Sequence, residues 1–130
     1  MDVTTVAALV FAVVTAVAVV FQIALALGAP WGSYSMGGRF PGRFPPTMRV
    51  AAVIQGLLLG LMGAVLLSRA GLALASWAQW SVWLTWVIVA FCGVSFLLNA
   101  LSPSTDERRV WAPATLVLLV SSLTVALTAE

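Results

Sequence analysis

Residues 3–27 read VTTVAALVFAVVTAVAVVFQIALAL, a run without one charged side chain. An apolar helix needs about 20 residues to cross about 30 Å of hydrocarbon, so this run is long enough to span a bilayer. Three further runs of the same kind follow at residues 50–68, 77–101 and 110–129, and none of them contains a charged residue. The sequence therefore predicts an integral membrane protein.

The composition agrees with that class and excludes several others. Hydrophobic residues make up 62% of the chain and charged residues 8%, against about 25% charged residues in soluble domains. The net charge of +2 is too small for the concentrated basic surface of a nucleic-acid-binding protein. Histidine is absent and cysteine occurs once, which leaves no common zinc site or bis-histidine haem site. We expect no metal, no cofactor and no nucleic-acid partner.

The predicted fold is an all-α integral membrane bundle of four transmembrane helices, forming a single domain over residues 1–130. Turn residues place the helices at about 3–27, 48–68, 77–101 and 106–129. Gly28 and Pro30 end the first helix, and Thr47 follows two prolines, where it is expected to cap the second. Ser104 and Glu107 form a capping box at the start of the fourth.

The arginines predict an orientation. Five of them fall in the loops after the first and third helices, whereas Arg69 is alone on the opposite side. The positive-inside rule places the face with five arginines in the cytoplasm, and both termini outside, in a bacterial plasma membrane that the chain crosses several times. We call this surface the arginine face, and its arginines are Arg39, Arg43, Arg49, Arg108 and Arg109.

Tryptophans mark the opposite end of the third helix. Trp77, Trp80, Trp83 and Trp86 follow one another at three-residue steps. Their rings are apolar and their N–H groups favour water, which is typical of a belt at the membrane interface. The alternative is a stacking platform for a flat ligand.

Small residues recur every four positions along the second helix, at Ala52, Gly56, Gly60 and Ala64. In lipid, small side chains let helix backbones approach closely. This ridge either packs the second helix against the first within one chain or forms the interface of a homodimer.

Three amides share one predicted depth. Gln22 and Gln55 lie about 8 Å inside the arginine face, and Asn99 lies near the same end of the third helix. Because an unpaired amide is costly in hydrocarbon, we expect all three to face the bundle interior near Arg49, with Glu107 as its counter-charge. They either bond one another or form the floor of a polar vestibule.

The first loop carries a tandem repeat, GRFP at residues 38–41 and again at 42–45. One interpretation is a loop lying on the interface, with phenylalanine in the acyl boundary and arginine on lipid phosphates. The other is a re-entrant lid over the amides. The candidate ligand-binding residues are Gln22, Trp31, Tyr34, Arg39, Arg43, Arg49, Gln55, Asn99, Glu107, Arg108 and Trp111.

A pattern of loop residues resembles small four-helix membrane proteins common in actinobacteria. It consists of GAPWG at 28–32, GG at 37–38, PG at 41–42, PP at 45–46 and Arg49, followed by SPS at 102–104, ER at 107–108 and a tryptophan and proline at 111 and 113. The resemblance covers the first loop and the start of the fourth helix. It implies the four-helix fold and assigns no function to any residue.

No catalytic signature is present, so we expect a protein that is not an enzyme. The leading hypothesis is a binding or accessory protein that engages anionic lipid, a small ligand or a partner protein through the arginine face. A small dimeric transporter or channel is the second hypothesis, and a lipid-modifying enzyme using Glu107 and the arginines is the third. The expected partners are membrane lipid and either a second copy of the chain, with a dimer favoured, or a larger membrane complex.

Overall fold

The computed structural model describes residues 1–130 and is all-helical. Its four long helices are α1 (Val3–Ala26), α2 (Pro46–Arg69), α3 (Ala78–Ala100) and α4 (Thr105–Thr128). The connections contain three single-turn 3-10 helices, at Gly32–Tyr34, Met36–Gly38 and Ala75–Trp77. Each of the four spans is long and apolar enough to cross a membrane. The predicted all-α, multi-pass membrane fold is confirmed.

Local chemistry explains where the helices begin and end. Asp2 caps α1, and the Thr5 N–H that donates to its carboxylate at 2.8 Å holds the pKa of Asp2 below its ordinary value. Gly28 adopts φ +97° just past the end of α1, a conformation that favours glycine. The predicted capping role of Thr47 is wrong. The N-cap of α2 is Pro45 and Thr47 lies in the first turn, because Pro46 is preorganised for the first helical position.

The helices form a bundle that is open along one side. α1 packs on both α2 and α4, and α3 packs mainly on α4, whereas α2 and α3 contact each other much less. The shared core includes Phe11, Leu66 and Val125, all fully buried. Most buried hydroxyls bond within their own helices, as where Thr85 donates to the carbonyl of Ser81 at 2.6 Å. Such bonds satisfy polar groups that find no water in hydrocarbon.

Two glycines of α2 set its approach to α1. A Cβ on Gly56 would lie 3.5 Å from the Cβ of Gln22, and a Cβ on Gly63 would lie 3.0 Å from the hydroxyl oxygen of Thr15. Gly63 follows Gly56 by seven positions, a spacing that nearly returns to the same side of a helix. α1 therefore lies along the Gly56–Gly63 side of α2.

The predicted four-residue ridge does not hold as an intrachain contact. Ala52 and Gly56 are buried, but Ala64 is only half-buried and Gly60 is exposed, with no atom within 4 Å of where its Cβ would be. A step of four residues rotates by about 40° beyond a full turn. The ridge therefore winds away from α1 after Gly56.

An apolar groove of about 470 Å³ lies between α2 and α3. Leu58, Met62 and Val65 line it from α2. On the other side, its lining includes Trp80 of α3 and Trp77, which ends the 3-10 helix before α3. Trp83 and Trp86 are exposed and do not line the groove. Because three-residue steps fall about 60° short of a full turn, the four tryptophans spread around α3 and form no single platform.

Candidate functional site

The first loop, residues 27–45, folds back on itself. The N–H of Gly32 donates to the carbonyl of Gly42 at 2.8 Å, which brings the two halves of the loop together. A Cβ on Gly32 would lie 1.8 Å from the carbonyl oxygen of Phe40, so only glycine fits this crossing. Phe44 is 2% exposed and packs with Leu25 and Ala52 below the loop. The loop is therefore a folded unit anchored in the bundle.

The N-terminus of α4 holds this loop in place. The hydroxyl of Ser33 donates to the carboxylate of Asp106 at 3.0 Å, and the N–H of Gly37 donates to the carboxylate of Glu107 at 3.2 Å. Ser104 adds a bond from its hydroxyl to the carbonyl of Ser33. We call these three hydrogen bonds the loop clamp. It places both acids of α4 against the first loop.

Ser104 also caps α4. Its hydroxyl oxygen accepts from the N–H of Glu107 at 3.2 Å, which is the predicted contact across the capping box. The Glu107 side chain, however, reaches Gly37 in the first loop. One short segment thus starts a helix and positions the loop beside it.

Two arginines of the arginine face are engaged by backbone carbonyls. The Nε of Arg49 donates to the carbonyl of Phe44 at 2.9 Å, and its guanidinium lies against Gly28 at the end of α1. Arg108 donates to the carbonyl of Ser102 and, at 3.3 Å, to the hydroxyl of Thr105. The predicted pairing of Arg49 with Glu107 is wrong, because Glu107 accepts from the loop instead. Arg49 therefore stabilises the end of the first loop, where its carbonyl partner Phe44 shortly precedes α2.

The remaining arginines of this face, Arg39, Arg43 and Arg109, are exposed. The acidic residues beside this face are Asp106 and Glu107 in the first turn of α4. They accept hydrogen bonds from Ser33 and Gly37. The acids are therefore oriented toward the loop, and the exposed charge of the face is positive. Guanidinium groups in such a setting suit phosphate and carboxylate, which they bind through parallel N–H bonds.

Aromatic rings lie beside the arginines. Trp31 stacks on Phe21 with ring centroids 6.4 Å apart and planes within 6°, and Phe21 contacts Trp111 at 4.9 Å. Trp31 and Trp111, both predicted site residues, therefore contact the same ring. That ring belongs to Phe21, which the sequence did not indicate as a site residue. Its only signal was an aromatic residue nearly two turns before the end of the first apolar run. Tyr34, also a predicted site residue, is half-buried in the first 3-10 turn.

The three amides do not converge. Gln22 is 8% exposed and lies beside Gly56 at the contact between α1 and α2. Asn99 is half-buried and donates to the carbonyl of Ser95 in its own helix at 2.7 Å. Gln55 is exposed on the outer surface of α2. The predicted inward orientation is therefore wrong for Gln55, because α1 covers the Gly56 side of α2. The set of Gln22, Gln55 and Asn99 lines no common path.

The opposite end of the bundle is closed by different contacts. Arg69 donates to the carbonyls of Ala129 and Glu130, each at 3.0 Å, and the hydroxyls of Thr4 and Thr128 lie 2.6 Å apart. A cation at the end of α4 also complements the helix dipole. Arg69 therefore joins α2 to α4, whereas the exposed arginines lie on the other face.

No group of three or more His, Cys, Asp or Glu side chains lies close enough together to hold a metal ion. Comparison with known proteins assigns no family: no family model matches the chain, and no curated protein or solved structure matches it. The resemblance of the loop motifs to small actinobacterial membrane proteins stays a prediction.

Proposed function

We propose that this chain is a small membrane-embedded binding protein whose arginine face engages the phosphate of anionic lipid head groups. The observation that carries the proposal is the loop clamp. It orients Asp106 and Glu107 toward Ser33 and Gly37 and leaves Arg39, Arg43 and Arg109 exposed. The face combines exposed cations with a folded backbone, so little ordering is needed when a ligand binds.

The aromatic residues of the loop support a lipid as the source of the phosphate. Trp31 is exposed while it stacks on Phe21, and Phe40 is half-buried next to Arg39. Tryptophan is enriched at the level of the head groups, where one edge of the ring is wet and the other apolar. A soluble anion needs the arginines alone, whereas a lipid also uses an apolar surface beside them.

In this proposal the arginine face lies on the cytoplasmic side of a bacterial plasma membrane and both termini lie outside. Five arginines on one side against Arg69 on the other favour that orientation. The cytoplasmic leaflet carries anionic lipids, and each arginine near such a surface contributes about 1 kcal/mol to binding.

Native mass spectrometry tests the proposal. The purified protein is titrated with phosphatidylglycerol and, separately, with phosphatidylcholine of the same acyl chains. We expect preferential retention of phosphatidylglycerol, and a loss of that preference in the Arg39→Gln/Arg43→Gln variant. Two arginines at about 1 kcal/mol each correspond to roughly a thirtyfold change in affinity.

Arg69→Gln is the matched control, because it removes one arginine from the opposite end of the bundle. It should retain the preference for phosphatidylglycerol. Equal retention of both lipids by the unaltered protein would refute the proposal. If millimolar inorganic phosphate displaced the bound phosphatidylglycerol, and lipid retention did not depend on the acyl chains, the arginine face would be reassigned to a soluble anionic ligand.

A further inference from the structure

Gln55 is a polar side chain on an otherwise apolar outer surface. Its neighbours on α2 include Ile54, which is 61% exposed, and Leu58, which is 41% exposed. Gln55 is itself exposed and has no hydrogen-bond partner within the chain. Asn99 differs, because its amide is engaged by the carbonyl of Ser95.

The position of Gln55 along α2 places its amide within the hydrocarbon. Arg49 and Arg69 bracket the helix and are about 30 Å apart along its axis, the thickness of the hydrocarbon layer. Gln55 lies about 9 Å beyond Arg49 toward Arg69. Acyl chains offer an amide neither a donor nor an acceptor, so exposure to lipid at this depth is costly.

The same side of α2 borders the groove between α2 and α3. Leu58 and Met62 follow Gln55 by three and seven residues, which puts all three on one side of the helix. Both line the groove of about 470 Å³. A helix from another chain that packed along this side would therefore meet the amide and the open groove together.

We propose that the exposed surface of α2 at Gln55 and Leu58 is the contact between two copies of the chain. An amide carries both a donor and an acceptor. A two-fold axis along the membrane normal places the two Gln55 side chains at one depth, so that each satisfies the other. A second copy therefore supplies the missing partner without any other protein. This inference is independent of lipid binding at the arginine face.

Energy transfer between labelled copies in lipid vesicles tests this interface. Fluorophores are attached to Ser76→Cys in the exposed connection before α3, and Cys92 is replaced by Ala so that one thiol remains. The dissociation constant is read from the dependence of transfer on the protein-to-lipid ratio. Gln55→Leu should raise this constant roughly eightfold, the factor expected for two interhelical hydrogen bonds of average strength.

Two controls separate this face from other causes of association. Gln79→Leu removes another exposed amide, in the first turn of α3, and should leave the dissociation constant unchanged. In the Cys92→Ala background, Leu58→Cys should form a disulfide between copies under mild oxidation. Val53→Cys, about 160° around α2 from Gln55, should not.

Several results would overturn the proposal. They are a dissociation constant unaffected by Gln55→Leu, cross-linking through Val53→Cys as efficient as through Leu58→Cys, or a monomer at every protein-to-lipid ratio. A monomer with a retained lipid chain in the groove would assign the groove to lipid and reject the interface.

Discussion

The hydroxyl of Ser33 donates a hydrogen bond to the carboxylate of Asp106 at 3.0 Å, across 73 residues of sequence. This bond joins the first loop to the first turn of α4. Together with the bond from Gly37 to Glu107, it fixes the surface from which Arg39 and Arg43 project. The arrangement of the arginine face therefore depends on α4 as much as on the loop.

A double-mutant cycle on Ser33→Ala and Asp106→Ala measures this contribution. Each substitution should lower the free energy of unfolding, and the coupling between them should be about 1 kcal/mol, the usual net contribution of a hydrogen bond. Chemical unfolding in detergent gives the free energies. Trypsin cleavage after Arg39 and Arg43 should also accelerate in both variants. Additive effects of the two substitutions would show that the bond contributes nothing.

Gly56 and Gly60 lie on different sides of α2, so a bulky residue at each should have opposite effects on stability. Gly56→Leu forces a side chain against Gln22, whereas Gly60→Leu adds one where nothing lies within 4 Å. We expect Gly56→Leu to lower stability by about 1–3 kcal/mol, the usual cost of overpacking. Gly60→Leu should be neutral or stabilising, because leucine favours the helix over glycine by several tenths of a kcal/mol.

Thermal unfolding of the two variants in the same detergent provides the comparison. The melting temperature should fall for Gly56→Leu alone. An equal fall for Gly60→Leu would place that glycine in a contact, and the described packing of α1 on α2 would be incorrect.

The four spans were predictable because hydropathy is a property of each segment by itself. The same holds for the contact between Ser104 and Glu107, which needs only three residues of spacing. Both features follow from local chemistry that no distant segment overrides.

The direction of Gln55 was not predictable in the same way. It depends on which side of α2 meets α1, and the sequence offered a four-residue ridge as the guide. Because such a ridge rotates around the helix, the contact instead follows Gly56 and Gly63. The loop clamp was missed for a related reason. Asp106 and Glu107 read as helix-start acids, and nothing local indicated that Ser33 and Gly37 would reach them.

The orientation of the chain is testable in intact cells. With Cys92 replaced by Ala, a thiol at Ser35→Cys should be protected from a membrane-impermeant reagent, because the arginine face is predicted to be cytoplasmic. A thiol at Thr128→Cys, at the other end of the bundle, should react. Permeabilised cells provide the control, since both positions should then label. Labelling at position 35 from outside would reverse the proposed topology.

Fluorescence quenching by brominated lipid tests lipid binding at the arginine face most directly. Trp31 is suited to this measurement because the fold of the loop places it near Arg43. Its neighbour Gly32 donates a hydrogen bond to the carbonyl of Gly42, the residue before Arg43. The difference in emission between the unaltered protein and Trp31→Phe isolates the signal of Trp31 from that of the other tryptophans.

Bilayers contain phosphatidylglycerol and phosphatidylcholine at a fixed ratio, and bromine is carried on the acyl chains of one lipid at a time. We predict stronger quenching of the Trp31 signal when phosphatidylglycerol carries the bromine, and equal quenching by the two lipids in the Arg39→Gln/Arg43→Gln variant. Equal quenching in the unaltered protein would contradict the assignment of the arginine face to anionic lipid.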